Sequence, residues 1–213
     1  MPQNETQSIA LQRPRLSLSI TGASGGIYGI ACLRELYRLG CEIDLIFSRS
    51  ALEALYLEND FPKIPEEILK TIGLMEGLQD GRIRIHHIDN IASALASGSA
   101  IRNLHAGLIV PCSMGTCARI AHGISSNLIE RHADVLMKER KPLVFVPRET
   151  PLSEIHLENM LRLVRLGCTC VPASPGFYHR PQSVQEMIQH VIGKVFDVIN
   201  LPHDLYKRWE GVK

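Results

Sequence analysis

Short apolar runs alternate along this chain with stretches of helical spacing. Residues 16–20 read as a strand, and the small-residue turn 21–26 follows it. Ile27, Ile30, Ala31 and Leu36 then recur close to the helical period, and Gly40 is placed to end the helix they predict over 27–39. Residues 41–47 predict a second strand and 50–57 a second helix. The stretch 59–90 is irregular and interrupted by Pro62 and Pro65, with a helix expected over 65–76 and a short strand over 82–86.

The alternation resumes downstream. Residues 106–110 predict a strand stopped by Pro111, and 127–141 predict a helix with an apolar stripe at Leu128, Val135 and Leu136. A fourth strand over 142–146, a helix over 153–166 ended by Gly167, and a fifth strand over 168–172 come next. Ser183 and Glu186 have capping-box spacing at the start of a long helix over 184–199, which Pro202 stops. Such alternation implies right-handed crossovers and a parallel sheet covered on both faces. The expected fold is α/β, a three-layer doubly wound parallel sheet forming one domain over 16–209, after a polar, disordered extension over 1–15.

Composition narrows the function classes. The chain has 213 residues, a formal net charge of +1, 45% hydrophobic and 21% charged residues. That is enough apolar material for a core without staples, and too much for a disordered chain. No run approaches the roughly 18 apolar residues of a membrane span. A net charge near zero argues against a general nucleic-acid binder. The cysteines at 32, 41, 112, 117, 168 and 170 form no CxxC pair and read as small buried hydrophobes of a reducing compartment. The scattered histidines include no HExxH motif, so no metal site is expected. The polar N-terminus lacks the apolar core of a signal peptide, and a cytoplasmic location is expected.

Candidate chemistry sits where an open α/β sheet puts it, at the carboxyl ends of the strands. After the first comes Thr21-Gly22-Ala23-Ser24-Gly25-Gly26, whose small residues expose backbone N–H groups at the positive end of a helix. An anionic or polar cofactor can approach there, although a tight turn without a ligand has the same composition. Ser48-Arg49-Ser50, after the second strand, suits a ligand or a helix cap. After the third comes Pro111-Cys112-Ser113-Met114-Gly115-Thr116, with hydroxyls and backbone donors for a heterocycle edge or a phosphate. Nothing in the sequence designates a base for Cys112, which is not read as a nucleophile.

Pro147-Arg148-Glu149-Thr150-Pro151, after the fourth, is a rigid polar cluster or a structural ion pair. After the fifth, Tyr178 can donate to a phosphate or simply pack. Arg131 and Lys138 lie two turns apart on one helix, where they can reach one anion or form a solvated face. Together these placements predict an α/β protein that binds a phosphorylated cofactor, and they leave the reaction open.

The segments TGASGGIYG, SGS…PCSMGT, RHADVLMKERKPLVFVPRETPL and PGFYHRPQS resemble the UbiX-type flavin prenyltransferases, over residues 16–209. The resemblance implies a flavodoxin-like Rossmann fold and homododecamers built from trimers, with FMN bound between subunits. It implies metal-free transfer of a dimethylallyl group from dimethylallyl phosphate to N5 and C6 of reduced FMN. The product, prenylated FMN, would serve a UbiD-type decarboxylase, one of which acts in ubiquinone biosynthesis. By position, flavin contacts fall to Gly22, Ala23, Ser24, Ser48, Ser113, Met114, Gly115, Thr116 and Arg148. Dimethylallyl phosphate falls to Tyr178, Lys194, Arg131 and Lys138. Glu149 is the implied proton donor, with Glu58, Lys138 and Ser24 as further catalytic residues.

Three positions depart from the family pattern. Ala100 stands where an aromatic residue is common, Gly115 where Lys is frequent, and Lys194 where many members have Arg. The competing enzyme reading is a flavin-dependent cysteine decarboxylase of the same fold, which uses a histidine early in the chain; none precedes His86 here. A direct aromatic acid decarboxylase and a non-catalytic FMN-binding carrier are the remaining alternatives.

Overall fold

The computed structural model describes residues 13–209 and residue 211. The expected N-terminal extension therefore falls mostly outside the described residues, and Arg15 already belongs to a strand. Six strands form one sheet: β1 (Arg15–Ile20), β2 (Glu42–Phe47), β3 (Ile83–His86), β4 (Leu104–Cys112), β5 (Leu143–Pro147) and β6 (Thr169–Cys170). Among the described residues, eight α-helices and one short 3-10 turn (Ala94–Ala96) connect and cover them: α1 (Gly26–Arg38), α2 (Arg49–Asn59), α3 (Pro65–Thr71), α4 (Met75–Gln79), α5 (Met114–Ala121), α6 (Leu128–Lys138), α7 (Glu154–Arg165) and α8 (Val184–Val198). The strand order is β3-β2-β1-β4-β5-β6, with every neighbouring pair parallel. The order reverses between β1 and β4, which makes the crevice at their carboxyl ends the topological switch point.

Alternation along the strands builds two cores. Leu16, Leu18 and Ile20 of β1 face Ile30, Leu33 and Leu36 of α1 and Ile192 and Phe196 of α8. Ile46, Ile109 and Phe145 face the other way, onto Ile120 of α5, Val135 and Leu136 of α6 and Leu163 of α7. So α1 and α8 cover one face, and α5, α6 and α7 the other.

The second face also hides a polar seam. His132 of α6 donates from Nδ1 to Leu95 O (2.8 Å), which leaves Nε2 to accept from Ser17 Oγ (2.7 Å). Burial pushes His132 down to about 4. Asp44, fully buried in β2, accepts from Arg15 Nε (2.7 Å), Arg84 Nε (2.9 Å) and His86 Nε2 (2.9 Å). Burial opposes its charge, but the bonds from His86, Arg84 and Arg15 win and hold the carboxyl well below the usual carboxylate range.

Several elements differ from the sequence expectation for identifiable reasons. The helix expected over 65–76 is split into α3 and α4, because Gly73 takes φ +75°. Pro111 does not stop β4; its carbonyl is taken by Thr21, and the strand continues to Cys112. Helix α5 occupies a segment expected as loop, and is capped by Ser113. Helix α6 ends at Lys138, before Arg140 turns the chain at φ +53°. Strand β6 shrinks to Thr169–Cys170. At α8, Ser183 Oγ accepts from Glu186 N (3.2 Å), but the Glu186 carboxylate accepts from Gln182 N (2.8 Å), so the reciprocal bond of the box moves back one residue. The reciprocal box sits instead at Ser153 and His156, opening α7.

All six cysteines are free, and all but Cys170 are buried, as expected of small hydrophobes. Burial lifts their thiols, Cys41 to about 11 and Cys117 to about 12. No helix among the described residues is long and apolar enough to cross a membrane.

Candidate active site

Thr21 joins the two loops at the switch point. Its N–H (3.2 Å) and hydroxyl (2.9 Å) both donate to Pro111 O, and its Oγ1 accepts from Ser113 N (2.8 Å). The TGASGG turn is thereby tied to the PCSMGT loop inside one chain. A Cβ at Gly22 would overlap Ser50 Oγ, so only glycine lets the start of α2 pack on the turn. Gly25 takes φ +92°, and its N–H donates to Glu58 Oε2 (2.8 Å). Glu58, expected as a catalytic carboxylate, thus holds the turn before α1.

Arg148 Nε donates to Ser24 O (2.8 Å), which draws the β5 loop onto the same turn. Ser48 caps α2 by accepting from Ala51 N (3.0 Å), and Ser113 caps α5 by accepting from Thr116 N (3.3 Å). Three helix N-termini therefore open at this sheet edge, each with positive partial charge. Glu149 is exposed and accepts from Thr150 N (3.1 Å). It makes no ion pair with Arg148 among the described residues, since that guanidinium is engaged by Ser24.

The residues expected to hold dimethylallyl phosphate are not brought together in one chain. Tyr178, in the loop before α8, and Lys194, on α8, lie on the face covered by α1 and α8. Lys194 Nζ reaches Asp197 Oδ2 (3.3 Å). Arg131 and Lys138 lie on α6, on the opposite face; Arg131 pairs with Asp134 (2.9 Å) and Lys138 with Glu139. The four cations and donors form two pairs separated by the sheet. Lys138 does meet the Ser97–Ser99 loop, since a Cβ at Gly98 would lie 2.9 Å from its Nζ.

Tyr178 also reveals residues that sequence reasoning missed. It lines a cavity of about 440 Å³ with His179, Arg180, Lys207, Arg208 and Trp209. Both ring nitrogens of His179 are buried there without a hydrogen-bond partner among the described residues. Asp197 bolts the C-terminal segment to α8, accepting from His203 Nε2 (3.1 Å), Arg208 Nη2 (2.6 Å) and Tyr206 Oη. The signal available in the sequence was the mixture of cations and rings in Tyr206-Lys207-Arg208-Trp209.

A protein-family model described as Flavoprotein matches residues 4–198. The chain is 48% identical over 197 residues to flavin prenyltransferase UbiX of Aquifex aeolicus, covering 92% of this chain and 99% of that protein. The chain belongs to the UbiX-type flavin prenyltransferases. Among solved structures, a crystal structure of AnUbiX in complex with FMN and dimethylallyl pyrophosphate aligns with a TM-score of 0.84 at 37% identity, covering 95% of this chain and 100% of that one. A dodecameric FMN-dependent UbiX-like decarboxylase from Escherichia coli O157:H7 aligns with a TM-score of 0.82 at 36% identity, covering 92% and 100%. Within this UbiX-type chain the departures fall at open places. Ala100 is exposed, and a Cβ at Gly115 would meet only Arg119 Nη1, at 3.3 Å.

Proposed function

We propose that this protein transfers a dimethylallyl group from dimethylallyl phosphate to N5 and C6 of reduced FMN, and that the product supplies a UbiD-type decarboxylase. The observation that carries this reading is the Thr21–Pro111–Ser113 joint, which ties the TGASGG turn to the PCSMGT loop at the switch-point crevice. FMN fits there. The N-termini of α1, α2 and α5 open there and suit an anion. Gly22, Ala23, Ser24, Ser48, Arg148 and the Ser113–Thr116 stretch would hold it. When bound, FMN supplies an electron-rich reduced ring that accepts the prenyl group.

The chain's own residues do the rest. Breaking the allylic C–O bond builds negative charge on the departing phosphate. Lys194 and Tyr178 on one face, and Arg131 and Lys138 on the other, are the donors that stabilise it. The cavity beside Tyr178, with Arg180 and Lys207 at its wall and the unpartnered nitrogens of His179, receives the phosphate. Glu149, as a carboxylic acid, protonates the leaving oxygen, and water must be excluded to protect the prenyl cation.

Neither water exclusion nor convergence of the four donors is achieved within one chain, so the working unit is a homo-oligomer whose interfaces bring α6 of one chain to α8 of another. Helix α7 is built for such a contact. Leu157, Leu161 and Val164 form an exposed apolar stripe along it, and Ile155 is 67% exposed.

Anaerobic incubation with FMN, a reductant and dimethylallyl phosphate tests the reading. Mass spectrometry should show a flavin heavier by one C5 unit. Flavin that stays bound but unmodified would overturn the transfer and select the carrier reading.

A further inference from the structure

The loop between β6 and α8 folds back onto α8 through one imidazole. Gly176 N–H donates to His190 Nδ1 (3.2 Å), and His190 Nε2 lies 3.0 Å from Tyr178 Oη. A backbone N–H can only donate, so Nδ1 carries no hydrogen. The ring is therefore neutral with its hydrogen on Nε2, which donates to Tyr178 Oη. The tyrosine's own hydroxyl hydrogen is then left over, and Tyr178 Oη has no second partner among the described residues.

The rest of the surroundings keep that ring still. His190 is 5% exposed, and His179 stacks on it with planes 3° apart and centroids 4.8 Å apart. Tyr206 packs at 4.8 Å, tilted by 50°. Burial, helped by His179 and Lys194 and opposed by Asp197, holds His190 below its ordinary value, which agrees with a neutral ring. Gly176 has no room for a side chain. A Cβ there would lie 2.9 Å from Tyr178 Cε1 and 3.3 Å from His190 Cε1.

We infer that His190 is a positioning residue for the prenyl donor: locked in its Nε2–H tautomer by Gly176 and held still by the stacked His179, it makes Tyr178 an acceptor and so turns the tyrosine hydroxyl hydrogen toward the phosphate in the cavity. This rests on the reading of that cavity as the phosphate side of the site.

Two measurements on the FMN-loaded protein test it. The ¹⁵N spectrum of histidine-labelled wild type should show His190 with a bare Nδ1 and a protonated Nε2, assigned by its loss in His190→Phe. Affinity for dimethylallyl phosphate, read by calorimetry, should weaken about tenfold in His190→Phe and in Tyr178→Phe, with FMN retention unchanged. Adding His190→Phe to Tyr178→Phe should cost less than about twofold more. A protonated Nδ1, or a full second loss in the double variant, would overturn the inference. If Tyr178→Phe weakens binding and His190→Phe does not, the positioning role falls alone. Unchanged affinity in Tyr178→Phe removes the cavity reading and this inference with it. The spectrum is taken on wild type and decides the tautomer even where a variant does not fold.

Discussion

The two sides of the active site are held by different kinds of contact. The proposed flavin side is built from backbone and short side chains, within a few residues of the ends of β1 and β4, and within one chain Thr21 ties its two loops together. The proposed phosphate side is built from long charged side chains on opposite faces of the sheet. Each already has a neighbour: Lys194 has Asp197, Arg131 has Asp134 and Lys138 has Glu139. Exposed ion pairs of this kind contribute about 0–1 kcal/mol, so an arriving phosphate displaces them at little cost. In the proposed site, therefore, one chain pre-forms the loops of the cofactor half, while the substrate half needs a partner chain.

The largest effect should come from breaking the preformed half. Gly22→Val drives a side chain into Ser50, and the purified protein should carry no flavin absorbance, while Lys194→Glu keeps it. Flavin bound at wild-type level in Gly22→Val would show that the cradle lies elsewhere. Next, Glu149→Gln should slow prenyl transfer by roughly 10²–10⁴-fold with FMN still bound, as expected for loss of a general acid. Equal single-turnover rates would take Glu149 out of the mechanism.

The smallest effect concerns the seam beneath α6, which supports the phosphate side. His132 sits at about 4 in the folded chain, against an ordinary value of 6.5. Below that ordinary value the unfolded chain takes up a proton that the folded one refuses. Stability is therefore full above about pH 6.5, falls by about 3 kcal/mol as pH drops toward 4, and levels off below. His132→Gln should flatten that slope in urea midpoints measured across the window. An unchanged slope would place its source at another group.

Much of the fold was legible because strands and helices leave different periods, as at 16–20 and 27–39. The flavin side was legible because small residues follow the strands in the sequence itself. Helix α5 was missed because its eight residues follow a proline and include Gly115, which hides the period. Asp44 and His132 gave no signal: Asp44 meets Arg84 and His86 only through the register of β2 and β3, and His132 meets Ser17 only because α6 packs on β1. The phosphate side was half legible. Residue types showed that Arg131, Lys138 and Tyr178 suit an anion, and the resemblance added Lys194, but only the crossovers decide that α6 and α8 cover opposite faces. Within 131–148, moreover, Asp134 pairs with Arg131 and Glu139 with Lys138, so the local excess of Lys and Arg is partly neutralised in the folded chain.

The central claim is that one chain's α8 and another chain's α6 complete each site. Co-expression of Lys194→Glu with Lys138→Glu tests it most directly, because each charge reversal alone should leave little prenyl transfer. Random mixing gives both intact halves in about one site in four, so the mixed oligomer should recover about a quarter of wild-type activity. Activity in the mixed oligomer no higher than that of the two variants assembled separately would contradict the account.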